Sequence, residues 1–195
     1  MLSAHTQMRE KVSTRGNRVK QSALFQGMDD CPISGASPLS SNWIIWAHLP
    51  HDTDWTLNSY IQICNVNNVS DAAAITSNLP SELATNCMLF VMREGISPTW
   101  EDDKNRDGGS FSYKLQNKFV NEAWKELSLK LYGEVLAGDE LNAKVNGITV
   151  SPKKNFCIVK VWMADCKFTD PSIIDLGSPH FDARTCIFKR HNPED

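Results

Sequence analysis

From residue 42 onward, short apolar runs that repeat every second residue outnumber the runs that repeat every three or four. "NWIIWAH" (42–48) is a compact aromatic and aliphatic run whose length and β-branching predict a strand. "HLPHDTD" (48–54) reads as a loop from its Pro and Asp content. "WTLNSYIQIC" (55–64) predicts a second strand with Trp55, Leu57, Ser59, Ile61 and Ile63 on one face. A helix is expected near 70–78 with Ser70 as its N-cap, then a buried strand at "CMLFVMREG" (87–95) and another over 110–115. "NKFVNEAWKELSLKLYGE" (117–134) is the clearest helix: Phe119, Ala123, Leu127 and Leu131 follow i, i+4 spacing beside Val120 and Trp124, and Gly133 sits at its end. "NAKVNGITVS" and "NFCIVKVWMADC" predict two strands joined by the turn "SPKKN". "TDPSIIDLG" (169–177) predicts a short helix with Asp170 as N-cap and Pro171 at its first position, and "ARTCIFKR" (183–190) a closing strand.

Strands that mostly follow one another through short loops imply an α+β fold, an antiparallel sheet with helices on one side. Residues 1–37 are polar and aperiodic, which predicts a basic, disordered N-terminal tail ahead of a single domain at 38–195.

Composition and charge narrow the possibilities. The chain is 41% hydrophobic and 22% charged, ordinary values for a soluble domain. No apolar run reaches the ~18 residues that would span a bilayer, and the N-terminus lacks a secretion signal's apolar block. Six cysteines are scattered singly, mostly among β-formers, which predicts buried thiols in a reducing cytoplasm rather than disulfides or a zinc site. Residues 1–27 hold five Lys/Arg and one Glu, a net charge of +4; residues 28–195 hold fifteen Lys/Arg and twenty-two Asp/Glu, a net charge of −7. A domain that acidic does not coat RNA nonspecifically, so any nucleic acid must meet one small, shaped site. The basic head reads as a solvated tail, with electrostatic docking to RNA as the alternative.

Candidate chemistry concentrates in "PTWEDDKNRDGGSFSYKL" (98–115). Asp103, Asn105, Asp107 and Gly108 match the first half of a helix-flanked calcium loop, but the twelfth position is Lys114 rather than Glu. Pro98 precedes the loop and a strand follows it, so no metal is assigned. Trp100, between a proline and an acidic run, and Trp55, after a polar loop, stand where core tryptophans rarely do. They either cap a core edge or, with Glu101, form a slot for a flat, hydrogen-bonding, cationic ring.

The order "SPLSSNWIIWAH … DWTL … GISPTWEDDKNRDGGSFSYKL … WKELSLKLYGE … VKVWMADC" strongly resembles eukaryotic translation initiation factor four E, the messenger-RNA cap-binding family, from about Pro38 to Cys166. The resemblance implies a curved antiparallel sheet with about three helices on its convex back and a cap site on its concave side. Trp55 and Trp100 match the pair that sandwich 7-methylguanine, Glu101 the acid that accepts from the base N1–H and amine, and Trp162 the residue touching the N7-methyl group. Physical chemistry agrees: N7 methylation makes the purine cationic, so two indole faces gain cation–π attraction of up to about 2 kcal/mol each beyond stacking. The implied triphosphate calls for cations, and Lys153 and Lys154 are the first choice. Lys160 and "FKRH" (188–191) are further candidates; the family's arginine is Ser151 here or is displaced.

On the implied dorsal face, Pro38, Leu39, Val69, Glu126 and Leu129 match positions that receive a helical motif of the scaffold factor four G or of inhibitory binding proteins. Ala73 stands where that family carries a tryptophan, Ser37 replaces a histidine, and Phe111 follows Gly-Gly where a tryptophan is usual. The implied function is binding of capped mRNA in translation initiation by a monomer without cofactor or membrane contact. Ala73 motivates the alternative of a cap-binding repressor or storage factor. An enzyme built on the carboxylates at 101–103 with His48, His51 or His180 lacks any nucleophile motif, phosphate loop or metal signature.

Overall fold

The computed structural model describes residues 37–192, so the expected N-terminal tail and Cys31 lie outside the described residues. Seven strands form one curved antiparallel sheet: β1 Pro38–His48, β2 Tyr60–Asn68, β3 Met88–Arg93, β4 Gly109–Leu115, β5 Val145–Pro152, β6 Cys157–Met163 and β7 Ile187–Arg190. Their order is β2-β1-β3-β5-β6-β4-β7. Among the described residues four α-helices accompany them, α1 Val69–Asn78, α2 Ser81–Asn86, α3 Val120–Tyr132 and α4 Asp139–Asn142.

Period-two alternation assigns each side chain to a face. Trp43, Ile45 and Ala47 of β1, Leu89 and Val91 of β3, and Val159 and Val161 of β6 are buried on one side. The apolar stripe of α3, with Val120, Ala123, Trp124, Leu127 and Leu131, is buried as well. Arg93 of β3 ties this side together. Its guanidinium lies over the Trp43 ring at 4.5 Å, pairs with Glu134 just past α3 at 2.7 Å, and donates to the carbonyls of Asn142 and Val145 at 3.1 Å. The other side carries a smaller cluster: Phe90, Met92, Ile96 and Trp162, with Trp46, Tyr60 and Met88 packed half-buried against it.

Several local expectations shift. The second strand begins at Tyr60; Trp55 lies in the loop before it and Leu57–Ser59 form a 3-10 turn, so Trp55, Leu57 and Ser59 share no strand face. Asp52 and Asp54 cause this, because their carboxylates accept from the backbone N–H groups of Asp54 (3.0 Å) and Thr56 (2.9 Å) and curl the chain. Asn68, not Ser70, caps α1, its side-chain oxygen accepting from Asp71 N at 2.8 Å. The segment 169–177 contains only the 3-10 turn Pro171–Ile173, capped by Asp170 as expected. An Asp182-capped 3-10 turn at Ala183–Thr185 shortens the last strand, and a 3-10 turn at Asn117–Phe119 precedes α3. Helices α2 and α4, of six and four residues, are too short to leave a periodic signal. No disulfide joins the described cysteines, and burial pushes the Cys157 thiol up to about 11, so it stays protonated.

Glu134 offers a test of the Arg93 anchor. Burial pushes its carboxyl up, but the Ser41 hydroxyl and the Arg93 guanidinium outweigh this and hold it below the usual carboxylate value. A depressed folded-state value means that the contribution is present at neutral pH and is lost as pH falls through that value. Glu134→Gln is expected to cost about 1.5–3 kcal/mol at pH 7 by urea unfolding. The gap to the parent should shrink on acidification as the parent's own carboxyl protonates.

Candidate functional site

The aromatic side of the sheet is bordered by two loops that leave it at opposite ends. The β1–β2 loop presents Trp55, 56% exposed. One indole face lies flat on His48, with ring centroids 4.3 Å apart and planes 2° from parallel. Tyr60 meets His48 edge-on at 5.0 Å, Phe90 meets Tyr60 at 5.4 Å, and Phe90 in turn lies 6.5 Å from Trp162. A continuous aromatic floor thus runs from β2 through β1 and β3 to β6. Trp162 itself is buried, its indole N–H donating to Thr149 Oγ1 at 2.7 Å.

The β3–β4 loop presents Trp100, 46% exposed, and the exposed Glu101. Burial pushes the Tyr60 hydroxyl's pKa up, and the negative charge of Glu101 raises it further, so Glu101 reaches electrostatically across the floor toward the Trp55 end. The rest of the acidic motif builds the loop. Asp102 accepts from Ser97 N (2.8 Å) and Lys104 N (2.9 Å), and Asp103 pairs with Arg106. Asn105, fully buried, donates to the carbonyls of Ser97 (3.0 Å) and Thr99 (2.8 Å) and accepts from Asn146 at 2.9 Å. Of the residues that matched a calcium loop, Asp103 and Asn105 are thus engaged within the protein itself. Among the described residues no group of three His, Cys, Asp or Glu side chains is placed to hold a metal ion. A Cβ on Gly108 would collide with the Met163 carbonyl, and one on Gly109 would come within 2.6 Å of the Lys189 carbonyl, so the glycine pair lets the loop enter the sheet between β6 and β7.

Cations gather on the same side. Lys153 in the β5–β6 turn lines a cavity of about 210 Å³ together with His48, Trp55 and Met88, which places it near the Trp55 plate. Lys154 is exposed in that turn, which Asn117 holds by donating to the Lys153 carbonyl at 3.2 Å. Strand pairing sets Lys160 between Thr149 and Ser112, and Lys189 opposite Ser110, which itself pairs with Trp162. Burial lowers the Lys160 pKa, and the charges of Lys153 and Lys189 lower it further. Three ammonium groups that repel one another around a half-buried floor favour a polyanion there. His191 lies against Trp162 at 4.6 Å and bonds the Asn105 carbonyl at 2.7 Å.

In the sequence alone Lys160 and the 188–191 segment are only secondary candidates, and His48 is only a possible acid or base. Alternation on β6 would have put Lys160 on the face of Trp162. No periodic signal places His48 under Trp55, because the Asp52 and Asp54 turns shape the loop that makes that contact.

On the helical side, Pro38 pairs with Asn68 and Val69 N donates to the Ser37 carbonyl at 3.0 Å, so Pro38, Leu39 and Val69 come together. Val69 and Leu129 are 52% and 50% exposed, Ala73 is exposed, and Glu126 is half-buried on α3, which packs against α1.

A sheet covered by helices on one face, with the other an aromatic floor bordered by loops, defines a cupped α+β binding protein. The family model described as eukaryotic initiation factor 4E matches residues 38–177, and the chain belongs to that family. Eukaryotic translation initiation factor 4E of Eremothecium gossypii is 25% identical over 163 residues, 80% of this chain and 75% of that protein. The Saccharomyces cerevisiae relative is 28% identical over 131 residues, 64% of this chain, and the match spans under two thirds of its length, 61%. Among solved structures, Caenorhabditis elegans eIF4E-3 in complex with the 4E-binding protein Mextli superposes with a TM-score of 0.60 at 21% identity, covering 67% of this chain and 77% of that one. Ascaris suum eIF4E-3 with an m2,2,7G cap gives 0.61 at 21% identity, covering 68% and 76%. These likenesses establish the fold.

Asn105 should prove the keystone of the Trp100 loop. Asn105→Ala strips partners from two carbonyls and from Asn146, for an expected cost of about 1–3 kcal/mol. Amide exchange over 97–106 should accelerate more than in the sheet, as hydrogen-exchange mass spectrometry would show.

Proposed function

We propose that this chain binds the 7-methylguanosine cap of mRNA on its aromatic face and takes part in translation initiation. The observation that carries the proposal is a pair of exposed indoles, Trp55 and Trp100, on the two loops that border the aromatic floor, with the Glu101 charge felt at Tyr60, which packs on the His48 beneath Trp55. The indoles sandwich the cationic purine, and Glu101 accepts from N1–H and the exocyclic amine, a donor pair that adenine lacks. Trp162 lies on the same face and contributes to the floor beneath the methylated edge. Lys153 and Lys154, joined by Lys160 and Lys189, neutralise the triphosphate. Lysines hold phosphates more loosely than a bidentate arginine, so binding should be markedly salt-sensitive.

Support comes from the relatives: an Ascaris family member is solved with a cap, and a Schistosome one with m7GpppG and a 4E-binding protein. The patch of Pro38, Leu39, Val69, Ala73, Glu126 and Leu129, exposed at Pro38, Val69, Ala73 and Leu129, is then the surface for a scaffold of the four G type or an inhibitory binding protein. The chain acts as a cytoplasmic monomer and not as an enzyme; no helix among the described residues is long and apolar enough to cross a membrane. A second reading rests on Ala73: without the family's tryptophan the usual scaffold docks poorly, and the chain represses or stores capped messages.

Tryptophan fluorescence quenching tests the first reading. 7-Methyl-GTP should bind at least about tenfold more tightly than GTP, from the cation–π contribution. Trp100→Ala should abolish measurable binding, and Glu101→Gln should weaken it about 10- to 100-fold through loss of charge-assisted hydrogen bonds. Equal affinity for the two nucleotides would defeat the proposal.

A further inference from the structure

On the aromatic face His48 is 2% exposed, whereas Trp55, stacked flat upon it, is 56% exposed. Two contacts immobilise the imidazole. Its Nε2 lies 2.9 Å from the Asp54 carbonyl oxygen, which can only accept, so Nε2 donates there. Tyr60 stands edge-on against the ring, 60° from its plane. The strand position of His48, paired with both Tyr60 and Met88, fixes its backbone on two sides.

Trp55 is not held by strand pairing. It lies four residues past His51, which adopts a left-handed φ of 69°. Turns closed by the Asp52 and Asp54 carboxylates and by Ser59 Oγ on the Thr56 carbonyl at 2.8 Å surround it, and the Asp54 carbonyl is tied to the sheet through His48. An indole on such a loop would sample many rotamers. Stacking on a buried ring removes that freedom, consumes one indole face and leaves the other in solvent.

We propose that His48 is a positioning residue of the base site, a buried backing plate that holds Trp55 as a one-sided platform, so that a ring ligand stacks only on the face turned away from the imidazole. The inference rests on the cap-binding reading for the identity of the ligand but not for the ordering of Trp55. The stack order is ligand, Trp55, His48. Affinity is gained because the plate is ordered before the ligand arrives. An aromatic ring at position 48 is what the arrangement requires. The hydrogen bond to Asp54 is secondary, since Asp54 is itself exposed and its carbonyl can turn to water.

The test has two arms on the full chain. In the first, 5-fluorotryptophan is incorporated and the Trp55 resonance, assigned by Trp55→Phe, is followed by 19F NMR without ligand. In the second, 7-methyl-GTP and GTP are titrated by fluorescence. His48→Phe keeps a flat ring; His48→Leu keeps the volume without one, so the two separate stacking from filling. The expected outcome is a Trp55 signal shifted toward the exposed-indole position in His48→Leu but not in His48→Phe. Affinity for 7-methyl-GTP should fall about 3- to 10-fold in His48→Leu and stay within about twofold in His48→Phe. An unshifted Trp55 signal in His48→Leu would overturn the proposal. So would equal weakening in both variants, or tighter binding in His48→Leu, which would make His48 an obstruction rather than a support. Absence of 7-methyl-GTP binding in the parent would count against the cap-binding reading alone, and the 19F arm would still decide whether His48 orders Trp55.

Discussion

A β-strand shows its side chains to two faces in strict alternation, and here one face is covered by helices. Everything distinctive about this chain follows from the second set of positions. Trp46 and His48 on β1, Phe90 on β3, Lys160 and Trp162 on β6, and Lys189 on β7 occupy that set, and the helices leave it to loops and to whatever binds there. A face so rich in aromatic and cationic groups is a poor surface to leave wet and a good one for a flat, charged ligand.

The loops that border this floor solve different problems. The β3–β4 loop spends its acids and amides on itself: Asp102 and the buried Asn105 close the turn, and Gly108 and Gly109 let it enter the sheet, leaving Trp100 and Glu101 outward. The β1–β2 loop has fewer internal bonds and borrows rigidity from the sheet through the His48–Trp55 stack. The cations arrive by a third route, through register. Small Ser110 and Ser112 on β4 separate β6 from β7 and leave room for Lys160 and Lys189 on one face. In a body of net charge −7 over residues 28–195, this local reversal of sign makes anion binding site-specific.

Much of this was legible in the sequence. The apolar, β-branched runs of β1, β3, β5 and β6, the 3.6-residue stripe of α3, and the cluster around Trp100 each follow from local physics, and the family resemblance named the fold. What escaped depended on contacts distant along the chain or on side chains competing with the backbone. Asp52 and Asp54 curled what pattern alone read as the start of β2, and Asn68 captured the helix cap expected of Ser70. The buried role of Asn105 is decided by Asn146 and His191, far away in sequence. Lys160 and Lys189 come together only once strand order places β4 between β6 and β7.

The most direct test of the central claim is a crystal structure of the chain with 7-methyl-GTP. The account predicts the purine held between Trp100 and the open face of Trp55, its N1–H and amine on the Glu101 carboxylate, and phosphate oxygens on the lysines of the β5–β6 turn and floor. A nucleotide bound on the helical side, or bound with both exposed indoles untouched, would contradict it.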